Sequence, residues 1–333
     1  MVVAGPGETQ DVILSAAAAQ EVDAEVVLAL DEVAARWREA DVVLVSDRLA
    51  EAVAERALPH REGVFLVGDD PAALAAWSAP LGARVISLPD GTGWLGAILA
   101  DGGTGKAPVV AVLGGSGGVG ASTLAATLSC VAAERRGAAA LVETDLVGGG
   151  IDLLLGAETS GGWRWPRLSG AQGQVGDLRP YLPAVAGVSV VSMARGPVVD
   201  LTREPLAAIV GSLRRTHDLV VLDPGRALTL AARESIRLAT RVVLVVQAGV
   251  RGVAAAREVV RAHQLQDAWL AIRGKGLSAA VVAEALDLRV VAELPADPAL
   301  ARAAERGEPP TRAGRRYLGV CRRLLDRIVA EHG

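Results

Sequence analysis

The sequence predicts an α/β protein built from two doubly wound parallel-sheet domains. Three observations carry this. Short apolar runs alternate with amphipathic, alanine-rich segments along the whole chain, the pattern of β/α repeats. The stretch Val109–Thr123, VVAVLGGSGGVGAST, reads as a buried strand, a glycine-rich turn and the start of a helix. The segment 100–108, ADGGTGKAP, has the composition of a linker and divides the chain into 1–99 and 109–333.

At 333 residues, 51% of them apolar, the chain has material for two cores. The formal net charge of −4 gives no global attraction to nucleic acid, and none is expected as a partner. The two cysteines, Cys130 and Cys321, lie in unrelated surroundings, which excludes a disulfide framework or a cysteine metal site and fits a reducing cytoplasm. No basic region followed by an apolar core suggests a signal peptide, and no run of about 18 apolar residues suggests a membrane span. Lysine occurs only as Lys106 and Lys275, so arginine carries the positive charge.

In the first domain the expected strands are Met1–Ala4, Glu25–Leu30, Asp41–Ser46, Gly63–Val67 and Ala83–Leu88. The expected helices are Thr9–Gln20, Asp31–Ala40, Ala50–Ala57, Pro71–Leu81 and Gly91–Ala100. Five β/α repeats in this length imply a flavodoxin-type sheet. The segment resembles a response-regulator receiver domain. Ser46 stands where receivers carry the phosphorylated aspartate, and Asp47 comes one residue late. Gly5-Pro6-Gly7 replaces the paired magnesium-binding acids, and no lysine precedes Pro89. A degenerate receiver, acting in docking or dimerisation, is expected, with Asp47 an exposed loop acid rather than a phosphosite. In the linker, Gly-Gly-Thr-Gly-Lys106 is not read as a phosphate loop. No strand precedes it, Ala107 replaces the Ser/Thr, and Pro108 breaks any following helix.

In the second domain the glycine-rich turn is a phosphate cradle: backbone N–H groups freed of side chains, with a helix N-terminus behind them. Against G-x-x-x-x-G-K-[ST], Gly115, Gly120 and Ser122 match, and Ala121 stands in place of the lysine. Ser122 would place a hydroxyl on Mg²⁺. Asp223, ending the strand Asp218–Asp223, would hold the same ion, and Asp145 would orient an attacking water. Further elements are a helix Ser122–Arg136, strands Ala138–Glu143, Val188–Met193, Arg241–Gln247, Trp269–Arg273 and Arg289–Leu294, and helices Glu204–Arg215, Ala231–Ala239, Val253–Gln264 and Tyr317–Val329.

Residues 109–333 resemble the MinD/ParA superfamily of deviant P-loop ATPases. The loop K-G-G-x-G-K-[ST]-T corresponds to Ser116-Gly117-Gly118-Val119-Gly120-Ala121-Ser122-Thr123, and the acid motif to Glu143-Thr144-Asp145 through Asp152. The D-x-P-P-G segment is shortened to Asp223-Pro224-Gly225, and the late P-x-D segment corresponds to Pro295-Ala296-Asp297. The resemblance implies a MinD/ParA-type P-loop fold and cofactor contacts at Gly115, Gly117, Gly118, Val119, Gly120, Ala121, Ser122, Thr123 and Pro295. It implies ATP or ADP with Mg²⁺ on Ser122 and Asp223, and Asp145 as the catalytic acid. Both family lysines are missing, at Ser116 and Ala121. Losing one donor to transition-state charge costs about 10²–10³ in rate, so weak or no hydrolysis is expected. Ile272 replaces the asparagine that reads adenine in relatives.

The receiver-like segment ahead of it, with Trp163-Arg164-Trp165-Pro166, is similar to CpaE-like proteins and septum site-determining (Ssd) proteins of the actinobacterial branch. That similarity implies regulation of the division septum or positioning of Tad pilus or secretion machinery. It implies protein partners there, a homodimer and peripheral contact with the inner face of the membrane. An active ATPase cycling between monomer and dimer is the alternative reading. Three features stay open between function and packing: Arg226 as a replacement charge, the Trp163 and Trp165 loop as a binding anchor, and the basic amphipathic final helix as a membrane contact.

Overall fold

The computed structural model describes residues 1–20, 22–61, 63–100, 107–173, 175–196, 199–310 and 314–332. The chain divides between residues 106 and 107 into two compact units. Most of the expected linker falls on 101–106, outside the described residues. Ala107 and Pro108 belong to the second unit: the Ala107 N–H donates to Arg214 O (3.2 Å), and Pro108 O accepts from the Val220 N–H (3.0 Å).

In the first unit, β1 (Val2–Val3), β2 (Val43–Ser46), β3 (Val64–Gly68) and β4 (Arg84–Ser87) form a parallel sheet in the order β1-β2-β3-β4. Alternation along the strands sends neighbouring residues to opposite faces. Val2, Leu44 and Phe65 pack with Ile13 and Leu95 on one side, while Val3, Val45 and Leu66 pack with Val33, Trp37 and Leu74 on the other. The helix Pro71–Leu81 occupies its expected span. Asp70 Oδ1 accepts from the Ala72 N–H (2.9 Å), Pro71 opens the first turn, and Gly82 ends it at φ +58°.

The expected strand Glu25–Leu30 does not form. It is reduced to one parallel bridge, Val2 to Val26, and Leu30 already begins the helix Leu30–Arg36. The segment lies at the sheet edge, where Val26 and Leu28 are exposed and only Val27 reaches the core. An edge position supplies hydrogen bonds on one side only, so burial of a single residue sustains no ladder. With the bridge counted, the sheet keeps the flavodoxin order.

Asp47 is not an exposed loop acid. It is 6% exposed. Its Oδ2 accepts from the N–H groups of Asp69 (3.1 Å) and Asp70 (3.2 Å), and its Oδ1 from that of Arg48 (2.8 Å). The carboxylate therefore ties the end of β2 to the turn after β3.

The second unit holds β5 (Val109–Gly114), β6 (Ala139–Glu143), β7 (Ala184–Val185), β8 (Val188–Val191), β9 (Leu219–Asp223), β10 (Arg241–Gln247), β11 (Trp269–Arg273) and β12 (Arg289–Leu294). They form one sheet in the order β12-β11-β10-β5-β9-β6-β8-β7, parallel except for the edge hairpin of β7 with β8. That antiparallel hairpin makes the sheet mixed and has no counterpart in the sequence reading. β5, β6 and β9 are buried at every residue, as central parallel strands covered on both faces must be.

The helix Ala121–Arg136 runs back beneath the sheet with ten buried residues, from Leu124 to Ala133. The final helix, Arg315–Ala330, closes over it. Tyr317, Cys321, Leu324, Leu325 and Ile328 form one buried stripe, and Asp326 pairs with Arg135 at 2.7 Å. Its apolar face is thus occupied by the core, and only its arginine-rich face is outward. The helices Ala279–Leu286 and Pro298–Glu305 lie in stretches with no expected element; each starts at a side-chain cap, Ser278 and Asp297. Among the described residues no helix is long and apolar enough to cross a membrane.

The Asp47 arrangement makes a stability prediction. Replacing Asp47 with Ala leaves three N–H groups short of an acceptor and should lower the stability of the first unit by about 1–3 kcal/mol. Urea denaturation followed by far-UV circular dichroism measures this; an unchanged midpoint would contradict the stapling role.

Candidate functional site

β5 lies at the point where the chain reverses its direction of travel across the sheet, with β9 and β6 on one side and β10 on the other. In an open parallel sheet, ligands bind outside the carboxyl ends of the strands at such a point. Here Gly114, Asp223, Glu143 and Gln247 end β5, β9, β6 and β10. A cavity of about 400 Å³ opens there.

One wall is the glycine loop. Gly118 (φ +70°) and Gly120 (φ +95°) take left-handed conformations, and Gly120 leads directly into the helix Ala121–Arg136. No side chain caps that helix. The N–H groups of its first turn, at Ala121, Ser122 and Thr123, are left without intrahelical partners beside the cavity, with the positive end of the helix dipole behind them. Gly117, Gly118, Val119, Gly120, Ala121, Ser122 and Thr123 line the cavity, as does Pro295 on the opposite wall.

Two of the expected cofactor contacts act differently. Gly115 does not line the cavity. Its N–H donates to Val245 O (2.8 Å), and a Cβ there would lie 2.7 Å from the Ala256 Cβ. Its lack of a side chain lets helix Val250–His263 approach the loop. Val119 borders the cavity, but its side chain is buried beneath the loop, so only its backbone faces a ligand.

Three acids stand at the strand ends. Burial pushes the Asp223 carboxyl up to about 6; the neighbouring Ser122 hydroxyl opposes the rise and the Asp145 charge adds to it. Asp145 lines the cavity, accepts from the Val147 N–H (3.1 Å), and lies against Gly225. Glu143, opposite Asp223 in the sheet, is fully enclosed. It accepts from the N–H groups of Ile151 (3.1 Å) and Met193 (2.9 Å), and burial pushes it up to about 7. Sequence reasoning named Glu143 only as a motif position. In the structure it anchors the loop after β6.

Ser122 and Asp223 fit a magnesium ion: an oxygen pair on adjacent elements, one of them a buried carboxylate whose charge a cation would offset. Among the described residues no three His, Cys, Asp or Glu side chains converge into a self-sufficient metal site. A magnesium ion here would take its remaining oxygens from phosphate and water.

The cations of the site are arginines. Arg273, at the end of β11, donates from Nη1 to Val119 O (2.8 Å) and crosses the face of Gly120. Arg226, three residues past Asp223, lines the same cavity near Gly117. Ser116 and Ala121 occupy the two lysine positions and carry no charge. On the far wall burial holds the Tyr317 phenol well above the ordinary range. Asp297 caps the helix Pro298–Glu305 (Ala299 N–H, 2.9 Å).

The other singled-out residues lie in the framework. Asp152 is enclosed; burial pushes its carboxyl up, but the ion pairs with Arg195 (2.5 Å) and Arg164 (3.4 Å) outweigh this and hold it below its usual value. The Trp165 indole is buried and donates to Glu143 O (2.6 Å). Trp163 stacks on Tyr181 (4.4 Å between ring centroids), with Arg167 over its other face (4.8 Å). Both tryptophans pack the loop onto the core.

Comparison with known proteins decides the family. Residues 3–109 match the family described as Rv3660c-like, CheY-like N-terminal domain. Over 307 residues the chain is 36% identical to the uncharacterized protein Rv3660c of Mycobacterium tuberculosis (strain ATCC 25618 / H37Rv), covering 85% of this chain and 86% of that protein. The chain belongs to the Rv3660c-like family.

Solved structures extend the comparison. The ParA family ATPase from Chlorobium tepidum TLS matches with a TM-score of 0.58 at 11% identity, covering 68% of this chain and 99% of that one. The septum site-determining protein MinD complexed with Mg-ADP from Pyrococcus horikoshii OT3 matches at 0.54 and 18% identity, covering 68% and 98%. At these identities the likeness is one of fold. The Rv3660c-like chain thus joins a CheY-like N-terminal domain to a MinD/ParA-like fold.

The buried acids set a pH dependence for this Rv3660c-like protein. Glu143 and Asp223 bind protons more tightly folded than unfolded. Their contribution is therefore fully present below their unfolded values and is lost as pH rises, for Glu143 from 4.5 to about 7 and for Asp223 from 3.8 to about 6. Thermal melts across this window should show stability declining with pH from these groups, and Glu143→Gln should flatten the slope. An identical slope in the variant would contradict the assignment.

Proposed function

We propose that this protein is a regulatory, spatial-organisation protein that binds ATP or ADP with magnesium and hydrolyses little or none. The observation that carries the reading is the composition of the cavity. It keeps the phosphate-facing backbone and the Ser122–Asp223 pair, yet both lysine positions are uncharged and its cations are Arg226 and Arg273. Backbone donors and a helix N-terminus suffice to hold a phosphate group. Transition-state stabilisation needs a donor placed where charge develops, and a guanidinium committed to the Val119 carbonyl is not free to follow it.

The CheY-like domain supports a docking role. The carboxylate nearest the receiver phosphorylation position, Asp47, has both oxygens engaged by backbone N–H groups. Such a domain serves as a recognition surface and not as a phosphate acceptor. By analogy with septum site-determining and CpaE-like proteins, we assign its partners to the division septum or to pilus and secretion machinery. A homodimer and contact with the inner face of the membrane, from a cytoplasmic pool, belong to the same reading. The division proposed is that of the sequence, 1–99 and 109–333, with Ala107 and Pro108 of the expected linker 100–108 taken into the second unit.

The second reading is an active ATPase cycling between monomer and dimer. It is favoured by Asp145, which lines the cavity, and by the two arginines. The readings separate by experiment. Titration calorimetry should show magnesium-dependent ADP binding that weakens in Asp223→Asn. Ala121→Lys should tighten ATP by about 10–100-fold, the worth of one charge-assisted phosphate contact. Magnesium-dependent turnover that is abolished by Asp145→Ala would favour the ATPase; no binding of any nucleotide would end both readings.

A further inference from the structure

A second cavity, of about 360 Å³, lies between the helix Leu230–Leu238 and the end of the helix Val250–His263. Its lining includes Arg233, Arg237, His263 and Gln264. Nothing in the phosphate-loop cavity uses these side chains.

Its charge is unbalanced. Arg233 and Arg237 stand four residues apart on one helix face, a spacing that sets like charges against each other. Arg237 is compensated by the buried Glu234, through its Nε (2.8 Å) and Nη2 (2.5 Å). The Arg233 guanidinium makes no ion pair or hydrogen bond with any of the described residues; its backbone N–H donates to Thr229 O (3.1 Å). The carbonyl end of the helix Val250–His263 contributes about half a negative charge. Two guanidiniums less Glu234 leave one positive charge, so the pocket remains cationic.

His263 supplies the second observation. It is 9% exposed. Its Nε2 lies 3.3 Å from Arg226 O, while its buried Nδ1 finds no hydrogen-bond partner among the described residues. A buried ring nitrogen without a partner costs free energy unless a ligand or solvent meets it. One free guanidinium, one partly engaged guanidinium, an amide and a histidine ring whose buried Nδ1 has no partner among the described residues line this pocket.

We propose that this pocket binds a small phosphate-bearing molecule, its anionic group received by Arg233, Arg237 and His263 Nδ1. With the anion met by Nδ1–H, the ring's Nε2 stays beside Arg226 O at 3.3 Å. Occupancy would then steady the segment that carries Arg226 into the phosphate-loop cavity. The proposal concerns binding at a separate pocket and stands whether or not the larger cavity takes a nucleotide.

The test is an NMR titration of the histidine ring signals in the full chain, with pyrophosphate as the probe and potassium chloride at matched ionic strength as the control. The His263 signal is assigned by its loss in His263→Gln. Pyrophosphate should shift it saturably where chloride does not. Arg233→Gln, on an exposed helix face, should weaken the apparent affinity about tenfold. No saturable shift overturns the proposal. A shift of equal affinity in Arg233→Gln overturns it too, because the signal would then come from anion held by the phosphate loop and relayed through Arg226.

Discussion

The Ser122 hydroxyl neighbours the Asp223 carboxylate where the first turn of helix Ala121–Arg136 meets the end of β9. Much of the second unit is arranged around that junction. Gly120 must turn left-handed for the helix to start there, and Gly115 must lack a side chain for helix Val250–His263 to seat behind the loop. Glu143, one strand away, holds the loop that places Asp145 on the cavity. The enclosure that assembles these groups also raises the carboxyls of Asp223 and Glu143, since burial disfavours their charged forms. A divalent cation at Ser122 and Asp223 would offset that buried charge.

The electrostatic balance separates binding from catalysis. A phosphate chain needs donors in its ground state, and the loop backbone provides them. Acceleration needs donors that gain strength as charge moves. The arginines present come from other elements: Arg273 from the end of β11 and Arg226 from the segment after β9. Arg273 is already bonded to the loop carbonyl at Val119, and a planar fork on a distant strand does not reproduce a compact ammonium at the head of the helix. This balance is what supports the proposed reading, in which nucleotide is held and not turned over.

Much of this was legible in the sequence. β10, β11 and β12 occupy their expected spans because each is an apolar run of strand length. The glycine loop and Asp223 were found because strand, turn and helix follow one another locally. What failed was non-local. Glu25–Leu30 carries a strand composition, but its place at the sheet edge removes the pairing. Gly115 satisfies the loop template while its physical role is to admit Ala256. Arg273 reaches the loop across 154 residues because the sheet order β11-β10-β5 brings the two together, and no local pattern records that order. Composition makes Asp47 a loop acid because it cannot show that three backbone N–H groups converge on the carboxylate.

The proposed cavity retains nucleotide without consuming it. A single-turnover experiment tests it most directly: protein in excess over ATP and magnesium, quenched at intervals, with the nucleotide recovered and separated. The account predicts that protein-bound ATP is recovered intact over hours at close to the rate of ATP in buffer. Stoichiometric conversion to ADP and phosphate within minutes would contradict it.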